Sequence, residues 1–246
     1  MARSGSNEDN VRISGEGRVA GGSYGAVTIN GAGSIKGDIA CSTFRVNGTA
    51  TTDANVKTDT AVVNGTASFG GEVQAGEMTV NGDASVTNGL GVGQLKVKGR
   101  LYVGGGIAAH DVDSKGELTV GGDCEADTFR AEGAFSVGGL LNAGTVDVRL
   151  YASSKVREIG GERVTVRQAT GFATLFAIFS EKRLTAESIE ADDVVLEFVT
   201  AKTVRGARVS IGEGCDIDLV EYTDRFDRSA GAVVRNANKV AAAPEA

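Results

Sequence analysis

The length, composition and charge of the chain exclude several classes of protein. The chain has 246 residues, of which 36 are glycine, and its formal net charge at pH 7 is −7. This acidic balance argues against a nucleic-acid partner, because such a partner requires a basic stripe. We find no run of ~18–20 apolar residues that would span a membrane and no charged-then-apolar signal peptide.

The first ten residues lack any apolar pattern, so we predict that residues 1–10 form a flexible tail. A first apolar pair, Val11 and Ile13, follows in a segment that is one residue short of the repeat described next. We therefore expect the folded part to begin at Val11.

A 17-residue repeat dominates the chain from Val27 onward, and glycine marks it at Gly31, Gly48, Gly65, Gly82, Gly99, Gly116 and Gly133. A fixed period of this length is typical of stacked solenoid repeats. Counted from Val27, apolar or small residues occupy positions 1 and 3, 7 and 9, and 13 and 15, and charged residues fall elsewhere. A spacing of two is that of a strand with one buried face. The pattern predicts an all-β fold, namely a three-sided parallel β-helix (β-solenoid) with about 17 residues per turn.

Glycine at position 5, and mainly glycine at position 11, separate these apolar pairs. Glycine accepts a positive φ at low cost, so we predict that both positions are corners that need this freedom. The Val-Asn-Gly segments at 46–48, 63–65 and 80–82 would ordinarily indicate hairpins. A hairpin meander would not keep a gapless 17-residue register, so the solenoid is favoured.

A Phe-rich insertion interrupts the repeat near residues 168–183. Within it, Phe172, Leu175, Phe176 and Phe179 follow the spacing of one helix face. Two interpretations remain open. The segment packs on the flank of the solenoid, or it contacts a membrane surface or a partner.

The apolar repeat becomes less regular toward the carboxyl end. We predict that the β-helix covers residues 11–222 and that residues 223–246 form a C-terminal tail. The first and last turns of a solenoid expose strand edges and apolar cross-section. The residues expected there are Val11, Ile13, Leu219, Val220, Tyr222 and Phe226. They either form a polymerisation interface or merely close the chain's own core.

No set of residues with catalytic or metal-binding spacing stands out. His110 is the only histidine and is expected at a solvated corner. Cys41 and Cys124 fall on inward positions far apart in the repeat, which indicates buried small residues instead of a disulfide or a metal site. We therefore predict no catalytic residues, no cofactor, no metal and no small-molecule substrate.

Several segments resemble bactofilins, the polymer-forming bacterial cytoskeletal proteins. The closing part is similar at 189–193, 203–206 and 211–222, and residues 138–144 and 158–162 resemble longer members from Gram-positive bacteria. The resemblance implies a right-handed β-helix and nucleotide-independent, non-polar filaments built by end-to-end contact. It also implies scaffold roles in cell shape, polar organisation or motility.

These observations predict a non-enzymatic structural protein whose main partner is itself, as a homopolymer. Other scaffolded proteins and a membrane surface are further partners to consider. Free cysteines indicate the cytoplasm, with peripheral attachment at the inner face of the membrane as a variant. The alternatives are a monomeric solenoid scaffold for protein partners and, less favoured, a β-helix enzyme.

Overall fold

The computed structural model describes residues 9–169 and 182–241, and all regular structure in them is β. The chain forms two compact units, Met1–His110 and Asp111–Ala246. The strands of the first unit are β1 Val11–Ile13, β2 Glu16–Ile29, β3 Ala32–Val46, β4 Thr49–Thr52, β5 Val56–Val63, β6 Thr66–Phe69, β7 Val73–Val80, β8 Asp83–Val86, β9 Leu90–Val97 and β10 Arg100–Val103.

Strand β11, Ile107–Ser114, contains the boundary between the units. The strands that follow are β12 Glu117–Val120, β13 Cys124–Ala131, β14 Ala134–Leu150, β15 Ser154–Gln168, β16 Leu184–Leu196, β17 Val199–Ile211, β18 Asp216–Arg228 and β19 Val233–Lys239.

The first unit is a parallel β-solenoid with the predicted register. β5 pairs in parallel with β7, so that Val56 lies beside Val73 and Val63 beside Val80, each 17 residues apart. β1 pairs with β2 with Val11 beside Val27, which makes the first turn one residue shorter, as predicted. Stacking of equivalent residues explains why the same side-chain type recurs at each position.

Three pairs of inward side chains per turn confirm the three-sided cross-section. In one turn of the second unit the pairs are Leu118 and Val120, Cys124 and Ala126, and Phe129 and Ala131, each less than 9% exposed. Between the second and third pairs the inward alternation slips within strand β13, whose burial pattern changes phase at Asp127–Thr128. The slip marks a corner inside a continuous strand.

The second unit keeps the parallel stacking while the turn length varies. Cys124 lies beside Leu141 at the 17-residue spacing, and Ile159 lies beside Ile189, 30 residues later. The next turn is shorter, because Val204 lies beside Ile189 at a spacing of 15. The long turn places the insertion between β15 and β16, where the sequence predicts it.

The glycines of position 5 do not adopt positive φ, so the reason given for their presence was wrong. The glycines with positive φ in the described residues are Gly22, Gly37 and Gly214. A Cβ on Gly48 or Gly65 would instead lie closer than 3.0 Å to the carbonyl oxygen of the glycine one turn earlier. The glycine column is therefore required by the close approach of successive turns.

An asparagine ladder runs beside this glycine column in the first unit. The side-chain amide of Asn47 donates to Oδ1 of Asn30 at 2.7 Å, and the same contact repeats from Asn64 to Asn47 and from Asn81 to Asn64 at 2.8 Å. The Val-Asn-Gly segments thus form stacked corners and no hairpins. Identical amides can stack because each one both donates and accepts.

Candidate assembly interface

The N-terminal turn of the first unit, formed by β1 and residues 16–24 of β2, exposes apolar cross-section. Val11 is half-buried, whereas Val27 directly beside it is fully buried. Val19 is also half-buried, whereas its partner Ile35 is 1% exposed. The difference arises because interior residues have a described turn on both sides, whereas Val11 and Val19 have one on a single side.

Two further inward residues complete this turn. Ile13 is 7% exposed, and Tyr24 is half-buried with its hydroxyl donating to the carbonyl oxygen of Ala20 at 2.9 Å. Val19 and Tyr24 were missed by sequence reasoning. Counting the inward positions from Val11 through the glycine-rich segment would have found them.

The strand edge at this turn is open within the described part of the chain. β1 pairs with β2 on one side, and no described residue pairs with its other side. Its unpaired N–H and C=O groups, together with the half-buried apolar side chains, make the turn competent for strand addition by another chain.

The C-terminal turn of the second unit differs from the prediction, because the strands continue past Tyr222. β18 runs to Arg228, and β19 pairs with β18, placing Leu219 beside Asn236 and Val220 beside Ala237. The prediction that the β-helix ends at residue 222 and that residues 223–246 form a C-terminal tail is therefore wrong for residues 223–228 and for Val233–Lys239. Since β19 covers Leu219 and Val220, their strand edge is not open.

Tyr222 and Phe226 do lie together near this end. Their ring centroids are 5.4 Å apart, and both side chains are half-buried. Phe226 stacks beside Val209, which is 2% exposed. Strand β19 covers Tyr222 through Lys239 but does not reach Phe226. Of the residues predicted for the C-terminal turn, Phe226 is therefore the one whose strand has no described strand on its other side at that point.

The other predicted contact, Phe172, Leu175, Phe176 and Phe179, lies outside the described residues. Among the residues that the structure does describe, no helix combines the length and apolar character needed to cross a membrane.

Groups that could carry chemistry are either exposed or inert. His110 is exposed on β11. Cys41, Cys124 and Cys215 are buried free thiols, and burial raises the pKa of Cys124 to about 12, which keeps it protonated and poorly nucleophilic. Within residues 9–169 and 182–241, no three His, Cys, Asp or Glu side chains come together as ligands for a metal ion.

Comparison with known proteins finds a family model that matches the N-terminal part of the chain. Residues 4–90 match the family model described as "Bactofilin: Polymer-forming cytoskeletal". This part of the chain is similar to bactofilins. The predicted resemblance is confirmed for these residues, although the match lies at the opposite end of the sequence from the closing residues that suggested it. The family match and the solenoid fold point to a structural protein.

Two proteins of Bacillus subtilis (strain 168) are similar to part of this chain. The chain is 40% identical over 102 residues to "Uncharacterized protein YhbE", covering 41% of this chain and 43% of that protein. It is 36% identical over 104 residues to "Uncharacterized protein YhbF", covering 41% and 42% respectively. The matches thus span less than half the length of either relative. No solved structure matches the chain.

Proposed function

We propose that this protein is a non-enzymatic structural protein that assembles end to end, without nucleotide, into filaments. The observation that carries the proposal is that the polymer-forming family match, residues 4–90, contains the open N-terminal turn with Val11, Ile13, Val19 and Tyr24.

Physical chemistry supports assembly at such a turn. A solenoid needs a polar cap or a partner at each end, because the end turns otherwise leave strand edges and apolar side chains in water. A second copy offers strands of the same spacing and side chains of the same size. Strand addition between copies would satisfy the open edge of β1 and bury Val11 and Val19.

In this proposal the filaments act as scaffolds in cell shape, polar organisation or motility, in the cytoplasm or peripherally at the inner face of the membrane. Their main partner is another copy of the chain, and other scaffolded proteins attach to the sides. The contrasting possibility is a monomeric scaffold, which sedimentation of the purified chain separates from a polymer.

The test is negative-stain electron microscopy and sedimentation of the full chain at micromolar concentration and physiological salt, without nucleotide. Filaments are expected. A single-copy species under all conditions would reject the proposal.

Phe226→Arg tests whether the C-terminal turn takes part in assembly. It should leave a folded chain that no longer forms long filaments, because an added charge would have to be desolvated in the contact. The control is Tyr102→Arg, which alters an aromatic side chain that is 51% exposed on strand β10 of the first unit. Filaments that survive Phe226→Arg would show that this residue is not an anchor.

A further inference from the structure

The last turn of the second unit carries two cations at positions that are inward everywhere else. Arg228 lies beside Ile211, which is 1% exposed, and Lys239 lies beside Tyr222. Both cations are exposed, and no strand in the described part of the chain stacks on them. In the described residues of this unit, no charged residue occupies an inward position of any earlier turn.

Most carboxylates near these cations interact with outward-facing arginines, in the pairs Arg225–Asp227 at 2.6 Å and Arg235–Asp218 at 2.9 Å. Asp224 is exposed and acts electrostatically on the outward-facing Arg208 of the preceding turn. A second copy that stacked its own C-terminal turn here would therefore add two further cations beside Arg228 and Lys239. Inward-pointing charges are a known way of blocking the pairing of a sheet edge.

The N-terminal turn of the first unit has the opposite character. The equivalent inward positions hold Val11, Ile13, Val19 and Tyr24, together with two glycines, and none is charged. Stacking this turn on its own kind buries apolar surface, whereas stacking the C-terminal turn on its own kind brings four cations together.

We infer that the two ends are unequal: the N-terminal turn pairs with the N-terminal turn of a second copy through apolar contact, and Arg228 and Lys239 block the C-terminal turn until salt screens them. This inference rests on the proposed end-to-end assembly. Assembly then proceeds in two steps, a salt-insensitive pair of copies and salt-dependent growth from it. The screening length falls from ~30 Å at 0.01 M to ~3 Å at 1 M salt, which spans the distance between stacked end turns.

The test compares the full-length wild type with three variants by sedimentation and negative-stain microscopy across this range of sodium chloride. Arg228→Leu/Lys239→Leu removes both inward cations. Its matched control, Lys155→Leu/Arg167→Leu, removes two cations from exposed outward positions of an earlier turn, on strand β15. Val19→Lys charges the N-terminal turn, and Ser23→Lys, on the outward face of the same strand, is its control.

The wild type should be a two-copy species at low salt and should lengthen at high salt. The Arg228→Leu/Lys239→Leu variant should form filaments already at low salt, and its control should behave as wild type. Val19→Lys should be a single-copy species at low salt and should form at most a two-copy species at high salt. Filaments of wild type that are equally long at all salt concentrations, or a Leu double variant indistinguishable from its control, would overturn the inference but leave the proposed assembly intact. A single-copy wild type and Leu variant at every salt concentration would instead overturn the proposed assembly.

Discussion

The glycine column makes a sharp stability prediction at Gly65. A Cβ at this position would lie less than 3.0 Å from the carbonyl oxygens of Asn47 and Gly48 in the preceding turn. These are backbone atoms, and the Gly48 oxygen accepts a hydrogen bond from the Thr66 N–H at 2.9 Å. Gly65→Ala must therefore push successive turns apart or break that hydrogen bond. Overpacking of this kind costs about 1–3 kcal/mol.

The assay is thermal unfolding followed by circular dichroism, with Gly91→Ala as the matched control. A Cβ at Gly91 would meet only Cγ of Gln74 at 3.9 Å, and φ there is not positive. For a unit of about 100 residues, Gly65→Ala should lower the midpoint by about 5–15 °C, whereas Gly91→Ala should leave it unchanged or raise it slightly. Equal midpoints for the two variants would refute the steric explanation.

Buried hydroxyls and exposed ion pairs give further predictions. Ser114 is fully buried and its hydroxyl has no hydrogen-bond partner among the described residues, so Ser114→Ala should keep or raise the unfolding midpoint. Ser154→Ala should lower both the midpoint and the free energy of unfolding, the latter by about 1–3 kcal/mol, because the Ser154 hydroxyl accepts a hydrogen bond from the Phe135 N–H at 3.2 Å. A lower midpoint for Ser114→Ala than for Ser154→Ala would contradict this reasoning. The hydrogen bond from Arg208 lowers the pKa of Asp193 below its ordinary value of 3.8. The stabilisation of the folded state by the Arg208–Asp193 pair is therefore present above pH 3.8 and is lost as the pH falls further. In acid titrations, Asp193→Asn should lose less stability than wild type over that range, and identical profiles would count against the pair.

The inward pattern was predictable because burial leaves a direct mark on residue type. Val27, Ile29 and Phe44 were placed inward by spacing alone, and each is fully buried. Residue type gave the wrong end of the solenoid at the carboxyl side. Arg228 and Lys239 are charged, so in the sequence the inward pattern stops before them, although both lie on paired strands. A charge is excluded from an inward position only when a turn covers it, so the last turn of a solenoid can carry charges there and still be part of the stack.

The structural reason for the glycine column was harder to predict. A glycine can be required because φ is positive or because there is no space for a Cβ, and the sequence does not distinguish these two cases. Gly37 has a φ of 93°, and a Cβ there would find ordinary contact distances. Gly48 has the opposite combination, a φ that is not positive and no space for a Cβ. The distance between turns decides between these cases, and that distance is a property of the stacked structure.

The outward columns of the stack differ between the two units. Uncharged amides repeat from Asn30 to Asn81 in the first unit. In the second unit, some charged columns alternate in sign from turn to turn, as in Lys115–Glu132–Arg149 and Glu190–Arg205–Glu221. Like charges also occur side by side, since Arg149 lies beside Arg167 and Arg208 lies beside Arg225.

Like charges directly beside each other on neighbouring strands are destabilising. Arg208 and Arg225 lie side by side, but each is also paired with a carboxylate, Asp193 for Arg208 and Asp227 for Arg225. An end-to-end contact between two copies would extend every column by one more turn. Arg228 or Lys239 meeting a like charge at an inward position would be desolvated as well as repelled, whereas Val11 or Val19 meeting an apolar residue would not. The inward positions therefore discriminate between the ends of two chains more strongly than the exposed columns do.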